Sequence, residues 1–205
     1  MMNVVILDYG SGNLRSAERA VARTGVTVTV TSDLGLAAEA DGLVVPGVGA
    51  YAACMAGIEA LDAGPVIAAR VAAGKPVLGI CVGMQILFES GVEHGVETKG
   101  LGLLPGSVTR LSAERIPHMG WNTVAVPDGS ALLAGLARDA RFYFVHSYAA
   151  QDLDLLNGAL VTTASHDQPF AAVVEAGALS AAQFHPEKSA DSGFALLKNW
   201  VATLR

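Results

Sequence analysis

The 205-residue sequence has little that would tie it to an oxidising compartment, to nucleic acid or to a membrane. Its two cysteines, Cys54 and Cys81, stand 27 positions apart with no Cys-x-x-Cys and no histidine cluster, which argues against a disulfide framework and against a structural zinc site. Basic residues are in deficit: 13 Lys and Arg against 19 Asp and Glu give a net charge of −6. The acidic residues are scattered, so no electrostatic footprint for nucleic acid or an anionic membrane surface is visible. The longest strongly apolar stretch, Pro76 to Phe88, is too short to span a bilayer and carries Gln85. The N-terminus lacks the basic, apolar and small-residue sections of a signal peptide, and a cytoplasmic location is expected. With 52% hydrophobic and only 16% charged residues, the chain is too apolar to be disordered and has ample material for one core. Its length suits a single domain.

The segment Asn3-Val-Val-Ile-Leu-Asp8 is a short β-branched apolar run ending at a Gly-rich turn, the pattern of a strand buried on both faces. Apolar positions Leu14, Ala17, Ala20 and Val21 then recur at helical spacing, with Gly25 as a stop. Strands are predicted over 27–31, 42–45 and 76–80, helices over 50–61 and 65–73, and a further helix from Val82. Such alternation favours a parallel sheet covered on both faces, because parallel strands need crossovers. After the Gly-rich segment Lys99 to Gly106, strand-like pieces follow one another at 121–126, 141–148, 160–163, 171–175 and 178–184, which reads as an antiparallel meander. An amphipathic helix, Ser189 to Leu204, closes the chain with Phe194, Leu197, Trp200 and Val201 on one face. The expected fold is one α/β domain: a mixed, mostly parallel central sheet flanked by helices, with antiparallel strands in the second half.

Three segments carry chemistry. Gly79-Ile-Cys-Val-Gly83 lies where a strand meets a helix and has the spacing of a nucleophile elbow, with Cys81 at the apex and small residues two positions either side. There the sulfur would face the first turn of the helix, whose positive end favours a thiolate, and the Val82 N–H would be free for an oxyanion. A buried, inert cysteine beside packing glycines is the alternative. In His185-Pro-Glu187 an extended backbone would bring the carboxylate toward the ring, giving base and orienting acid in triad logic; the alternative is a surface His and Glu at a turn. Pro46-Gly-Val-Gly-Ala50 follows a strand expected beside that of Cys81, and its two glycines allow a peptide N–H to turn toward the same oxyanion site. An ordinary βα turn would look the same.

Taken together, Gly-Ile-Cys-Val-Gly-Met-Gln85 and His185-Pro-Glu187 resemble the class I (triad) glutamine amidotransferase family, whose domain is flavodoxin-like. Asp8-Tyr-Gly-Ser-Gly-Asn13, Pro46-Gly-Val-Gly49, Ile116-Pro-His-Met-Gly-Trp-Asn122, His146-Ser-Tyr148 and His185-Pro-Glu-Lys-Ser189 narrow the resemblance to glutaminase subunits of imidazole glycerol phosphate synthase, over essentially the whole of residues 1–205. The resemblance implies L-glutamine as substrate, hydrolysed to glutamate and ammonia through a γ-glutamyl thioester on Cys81, with no cofactor and no metal. It implies a heterodimer with a (β/α)8 cyclase subunit, which receives the ammonia by a channel and makes imidazole glycerol phosphate and AICAR. By position, Gln85 resembles a contact for the substrate and Glu93 the acid that meets its ammonium. Val82 and Gly49 resemble the oxyanion donors, and His146, Ser147 and Tyr148 the lining of the substrate pocket. Lys188 and Met119 to Asn122, with Trp121 among them, resemble the surface that docks on the cyclase, as does Asn13; Trp121 in the core is the alternative. Cys54 is expected to be buried and inert. Asp8 to Asn13 lacks the full Gly-x-Gly-x-x-Gly pattern, so nucleotide binding there is rejected.

Two rivals remain. One is a glutaminase of another pathway, such as anthranilate or guanylate synthesis, for which the Asp8–Asn13 and Pro117–Asn122 segments have no use. The other is a noncatalytic relative that uses its elbow cysteine for redox sensing or chaperone-like binding. The isolated chain is expected to be a poor glutaminase, because the Val48–Gly49 peptide must present its N–H to the oxyanion site.

Overall fold

The computed structural model describes residues 2–204. Strand β1 (Asn3–Leu7) is buried along Val4 to Leu7, as its unbroken apolar run requires, and lies inside a seven-stranded sheet. Around it the chain runs α1 (Leu14–Ala22), β2 (Thr27–Thr31), α2 (Leu34–Glu39), β3 (Gly42–Gly47), α3 (Tyr51–Ala60), α4 (Ala63–Ala72) and β4 (Val77–Cys81). Helix α2 is not foreseen from the sequence. Its six residues are too few for a visible period, but Asp33 caps it, the carboxylate accepting from Gly35 N–H at 2.8 Å and Leu36 N–H at 3.0 Å. The buried Arg70 guanidinium on α4 then takes the carbonyls of Ala37, Ala38 and Ala40 where α2 ends.

The helix expected from Val82 is a single turn, α5 (Val82–Gln85). The apolar run Ile86-Leu-Phe88 leaves it to enter β5 (Phe88–Glu93), which is followed by β6 (Val96–Lys99) and β7 (Leu104–Arg110), three strands not foreseen from the sequence. The second half is accordingly not one meander. Strands β8 (His118–Thr123) and β9 (Arg141–His146) form their own antiparallel pair. The predicted strand over 141–148 breaks at Ser147, and β10 (Tyr148–Ala150) joins a second sheet in the order β10-β7-β5-β6. Only β11 (Leu160–His166), β12 (Gln168–Ala176) and β13 (Leu179–Ala182) meander, and they extend the main sheet to the order β11-β12-β13-β4-β3-β1-β2. Its four pairings from β13 to β2 are parallel and its two outer ones antiparallel, so the sheet is mixed and mostly parallel. Helix α6 (Ala190–Val201) packs on it with Leu196, Leu197 and Trp200 buried. Among the described residues no single helix is long and apolar enough to cross a membrane; α3 and α4 reach that length only as a pair bent by 90°.

What matters for the site is the register of three adjacent parallel strands. Gly47 of β3 lies beside Cys81 of β4, and Ala182 of β13 beside Ile80. The C-terminal ends of β3, β4 and β13 therefore deliver Val48–Gly49, Cys81 and His185 to one edge of the sheet. Ligands bind open α/β sheets at that edge.

Candidate active site

Cys81 ends β4 with φ +56° and ψ −116°, a conformation that costs a non-glycine residue about 1–3 kcal/mol and persists only where its surroundings impose it. The neighbours impose it here. A Cβ at Gly83 would collide with the Val45 carbonyl, and one at Gly79 would lie 2.8 Å from the Gly83 carbonyl oxygen, so the bend closes only with glycine at both places. The elbow is present as predicted, but its single turn of helix lends the sulfur little macrodipole; Val82, the first residue of the turn, lines the site.

His185 Nδ1 is 2.8 Å from Glu187 Oε1, and both side chains are buried. The backbone between them is not extended. Pro186 opens a 3-10 turn over Pro186–Lys188, and the turn folds the carboxylate back to the ring. With Nδ1 committed to Glu187, the other ring nitrogen is left for the sulfur, and His185 and Cys81 line one cavity. Burial pulls the His185 pKa down, but the adjacent Cys81 sulfur and the hydrogen-bonded Glu187 carboxylate outweigh it, holding the pKa raised at about 9. At neutral pH the ring therefore stands as an imidazolium, its proton available to the site.

A cavity of about 240 Å³ opens over the sulfur, and Gly49, Cys81, Val82, Gln85, Glu93, His146, Ser147, Tyr148 and His185 all line it. Lys188, assigned to the docking surface, lines it as well, as do Val48 and Val145. Glu93 ends β5, and its Oε2 accepts the Tyr51 N–H at 3.0 Å. Gln85 donates from Nε2 to the Tyr148 carbonyl at 2.9 Å and to Gln183 Oε1 at 3.0 Å. A larger cleft of about 400 Å³ at the opposite edge of the sheet, among Glu39, Asp41, Lys75 and Glu175, is lined by no cysteine or histidine.

Asn13, Met119 and Trp121 lie outside this cavity. Met119 and Trp121 project from β8 at 62% and 50% exposure, which removes the core alternative for the indole, and Asn13 is exposed at the start of α1. Asn122 alternates with them and turns inward, donating to the Ser165 carbonyl at 3.0 Å. Cys54 is fully buried as expected, yet it is not idle. Its thiol lies 3.5 Å from the Val48 carbonyl oxygen, to which the Ser11 hydroxyl also donates at 2.9 Å. Both cysteines are free.

Sequence reasoning missed three participants. Gln183 is fully buried with Nε2 3.9 Å from Cys81 Sγ; its place two residues before His185 on an extended segment was the available signal. Ser11 contacts Val48 across 37 positions, for which the sequence offers none. His118 meets His146 with Nδ1 2.9 Å from Nε2, a contact set by the β8–β9 register. Burial lowers both histidines, His118 to about 4 with help from the nearby His166, and His146 to about 3, although its bond to the Tyr148 carbonyl works in the other direction. Among the described residues no group of three or more His, Cys, Asp or Glu side chains is placed to hold a metal ion.

The family model for class-I glutamine amidotransferases matches residues 5–203. An imidazole glycerol phosphate synthase subunit HisH of Streptomyces avermitilis is 60% identical over 98% of this chain and 96% of its own, and one of Mycobacterium bovis is 63% identical over 97% of each. Solved structures share the fold: PurLQS from Thermotoga maritima superposes with a TM-score of 0.74 at 18% identity, covering 98% of this chain and 98% of its own. The glutaminase domain of Trypanosoma brucei CTPS, bound to acivicin, gives 0.68 at 15% identity over 98% and 94%. A cysteine elbow backed by a histidine, a mixed α/β sheet and full-length identity of about 60% leave one assignment: the chain belongs to the class-I glutamine amidotransferases and, within them, to the HisH subunits of imidazole glycerol phosphate synthase.

Proposed function

We propose that the chain hydrolyses L-glutamine to glutamate and ammonia through a Cys81–His185–Glu187 triad, and that the ammonia passes to a (β/α)8 cyclase subunit. The observation that carries this reading is the hydrogen-bonded His185–Glu187 pair sharing with the Cys81 sulfur a cavity of about 240 Å³. The Cys81 thiolate attacks the side-chain amide carbon, and the N–H groups of Val82 and Gly49 receive the oxyanion. As the C–N bond breaks, His185 gives its proton to the leaving nitrogen, which departs as ammonia and leaves a γ-glutamyl thioester. Water, deprotonated by His185, then cleaves the thioester and returns the sulfur. Gln85 and Glu93 bind the substrate amino acid, the Glu93 carboxylate meeting its ammonium, along the wall formed by His146 to Tyr148.

The cyclase uses the ammonia to form imidazole glycerol phosphate and AICAR in histidine biosynthesis. Direct transfer keeps ammonia unprotonated, the only nucleophilic form. Docking falls to Asn13, Met119, Trp121, Asn122 and Lys188. The Val48–Gly49 peptide supplies the reason for activation by a partner. Turning it over would break the Ser11 and Cys54 contacts to the Val48 carbonyl, a cost of about 1–3 kcal/mol that docking can offset.

The test is labelling of Cys81 by a glutamine-analogue diazo-ketone, with and without His185→Ala, alongside a glutamine-dependent assay in the presence of the cyclase. Labelling that needs His185, and turnover that needs Cys81, support the reading. Rapid labelling without the histidine points instead to a sensor thiol and refutes it.

A further inference from the structure

Behind the pocket wall runs an unbroken line of hydrogen bonds that the triad chemistry does not use. It begins at Asn122 on β8, whose Nδ2 lies 3.2 Å from His118 Nε2, continues from His118 Nδ1 to His146 Nε2 at 2.9 Å, and from His146 Nδ1 to the Tyr148 carbonyl at 2.9 Å. Gln85 Nε2 donates to that same carbonyl and to Gln183 Oε1, which leaves Gln183 Nε2 toward the Cys81 sulfur. The polarity of every link is fixed by its ends. The Tyr148 carbonyl only accepts, so the His146 proton sits on Nδ1 and its Nε2 must accept; His118 therefore carries its proton on Nδ1 and accepts from Asn122. A second proton on either ring would set two N–H groups face to face. The rings are also held in place: His118 stacks between Phe144, centroids 4.8 Å apart, and His166, 4.5 Å apart.

We propose that His118 is a positioning residue for glutamine cleavage, holding His146 and, through the Tyr148 carbonyl, the Gln85 and Gln183 amides that face the substrate and the sulfur. Because Asn122 belongs to the strand that exposes Met119 and Trp121, the same line ties the candidate docking strand to the nucleophile. Loss of the His118 donor leaves His146 Nε2 buried without a partner, and the relief open to the ring is rotation. That releases the Tyr148 carbonyl and loosens Gln85, a recognition defect rather than a loss of nucleophile.

The inference rests on the glutaminase reading, so turnover of glutamine by the wild-type chain with its cyclase is established first; its absence defeats that reading independently of His118. His118→Asn and His118→Gln are then compared in the complex. Asn places its amide nitrogen where Nδ1 stood and keeps the donor to His146, whereas Gln reaches the Nε2 position and does not. His118→Gln is expected to raise the KM for glutamine about 10-fold, the equivalent of one lost bond of about 1.4 kcal/mol, with kcat within about threefold. His118→Asn should restore KM to within about twofold of wild type. Alkylation of Cys81 by iodoacetamide, which needs no amide recognition, should proceed at the same rate in all three. Equal KM values for the two variants, or an alkylation rate that falls with KM, overturn the proposal. If His118→Gln does not accumulate, Asn122→Ala at saturating cyclase takes its place: a KM raised several-fold supports the proposal and an unaltered one overturns it.

Discussion

His185 meets Glu187 at 2.8 Å across a one-turn 3-10 bend, with both side chains buried and the ring lining the same cavity as the Cys81 sulfur. These two neighbours in sequence thus form the acid–base side of a site whose nucleophile comes from 104 positions earlier. The contact between them is electrostatic, and its behaviour with pH follows.

With its pKa raised to about 9, the His185 ring stays protonated through neutral pH. Stabilisation from its charged form is fully present below the unfolded value near 6.5 and is lost as pH rises through 9. Glu187→Gln keeps an acceptor for Nδ1 but removes the charge, so the ring should titrate at lower pH. Following the His185 ring by NMR should give a midpoint well above 6.5 in the wild type and a lower one in Glu187→Gln and in Cys81→Ser. A wild-type midpoint at or below 6.5 contradicts the ion-paired arrangement.

The neutral histidines behave oppositely. His118 and His146 are held down to about 4 and 3 by burial, so the folded chain resists protons that the unfolded chain takes up near 6.5. The stability they contribute is complete above 6.5 and drains away as pH falls toward 4. Thermal melting between pH 7 and 4.5 should show a steep drop for the wild type and a shallower one for His118→Asn, which has one fewer titrating ring. Parallel curves would mean that His118 is charged in the native state.

Much of this site is legible in the sequence because its parts are local. Gly79 to Gly83 names its own turn, and His185 and Glu187 are close enough that any bend serves. The β13–β4 register cannot be read there, yet alternating strands and helices already place both on one sheet edge. What escapes depends on pairing at a distance. His118 and His146 are direct cross-strand partners, a fact held by β8–β9 register and not by either motif. The same holds for β5 to β7: four to seven residues each, interrupted by Gly91, Gly100, Gly102 and Gly106, they show no clear alternation and are strands because they find one another. The shortened α5 has a local cause, since Ile86 to Phe88 continue as strand formers once the elbow has turned.

Gly83 is the place where the elbow is least forgiving. A methyl group there meets the Val45 carbonyl and the Pro46 backbone, neither of which can swing aside as a side chain would. Gly83→Ala should therefore destabilise the chain by about 1–3 kcal/mol, the usual cost of overpacking, and move Cys81 relative to His185. Urea unfolding measures the first effect and the iodoacetamide rate the second. A variant as stable and as reactive as wild type would show that β3 and the elbow can separate at little cost.

The exposed face of β8 is the last element with a measurable consequence. Trp121 is half exposed and packs edge-on against Tyr143, its cross-strand partner, with ring centroids 5.9 Å apart, and Met119 stands beside it at 62% exposure. A large aromatic kept in water beside a second apolar side chain has the makings of an interface anchor, and such anchors commonly account for about 2 kcal/mol of binding. Because Trp121 contributes little to the core, Trp121→Ala should leave the melting temperature within a degree or two, on the order of what a surface substitution costs. It should weaken the complex with the cyclase about 30-fold in Kd, which titration calorimetry resolves. Glutamine turnover at saturating cyclase should then recover, since the indole lies outside the cavity over Cys81. An unchanged Kd would move the docking surface off β8 and, with it, the origin of the line that runs through Asn122 and His118.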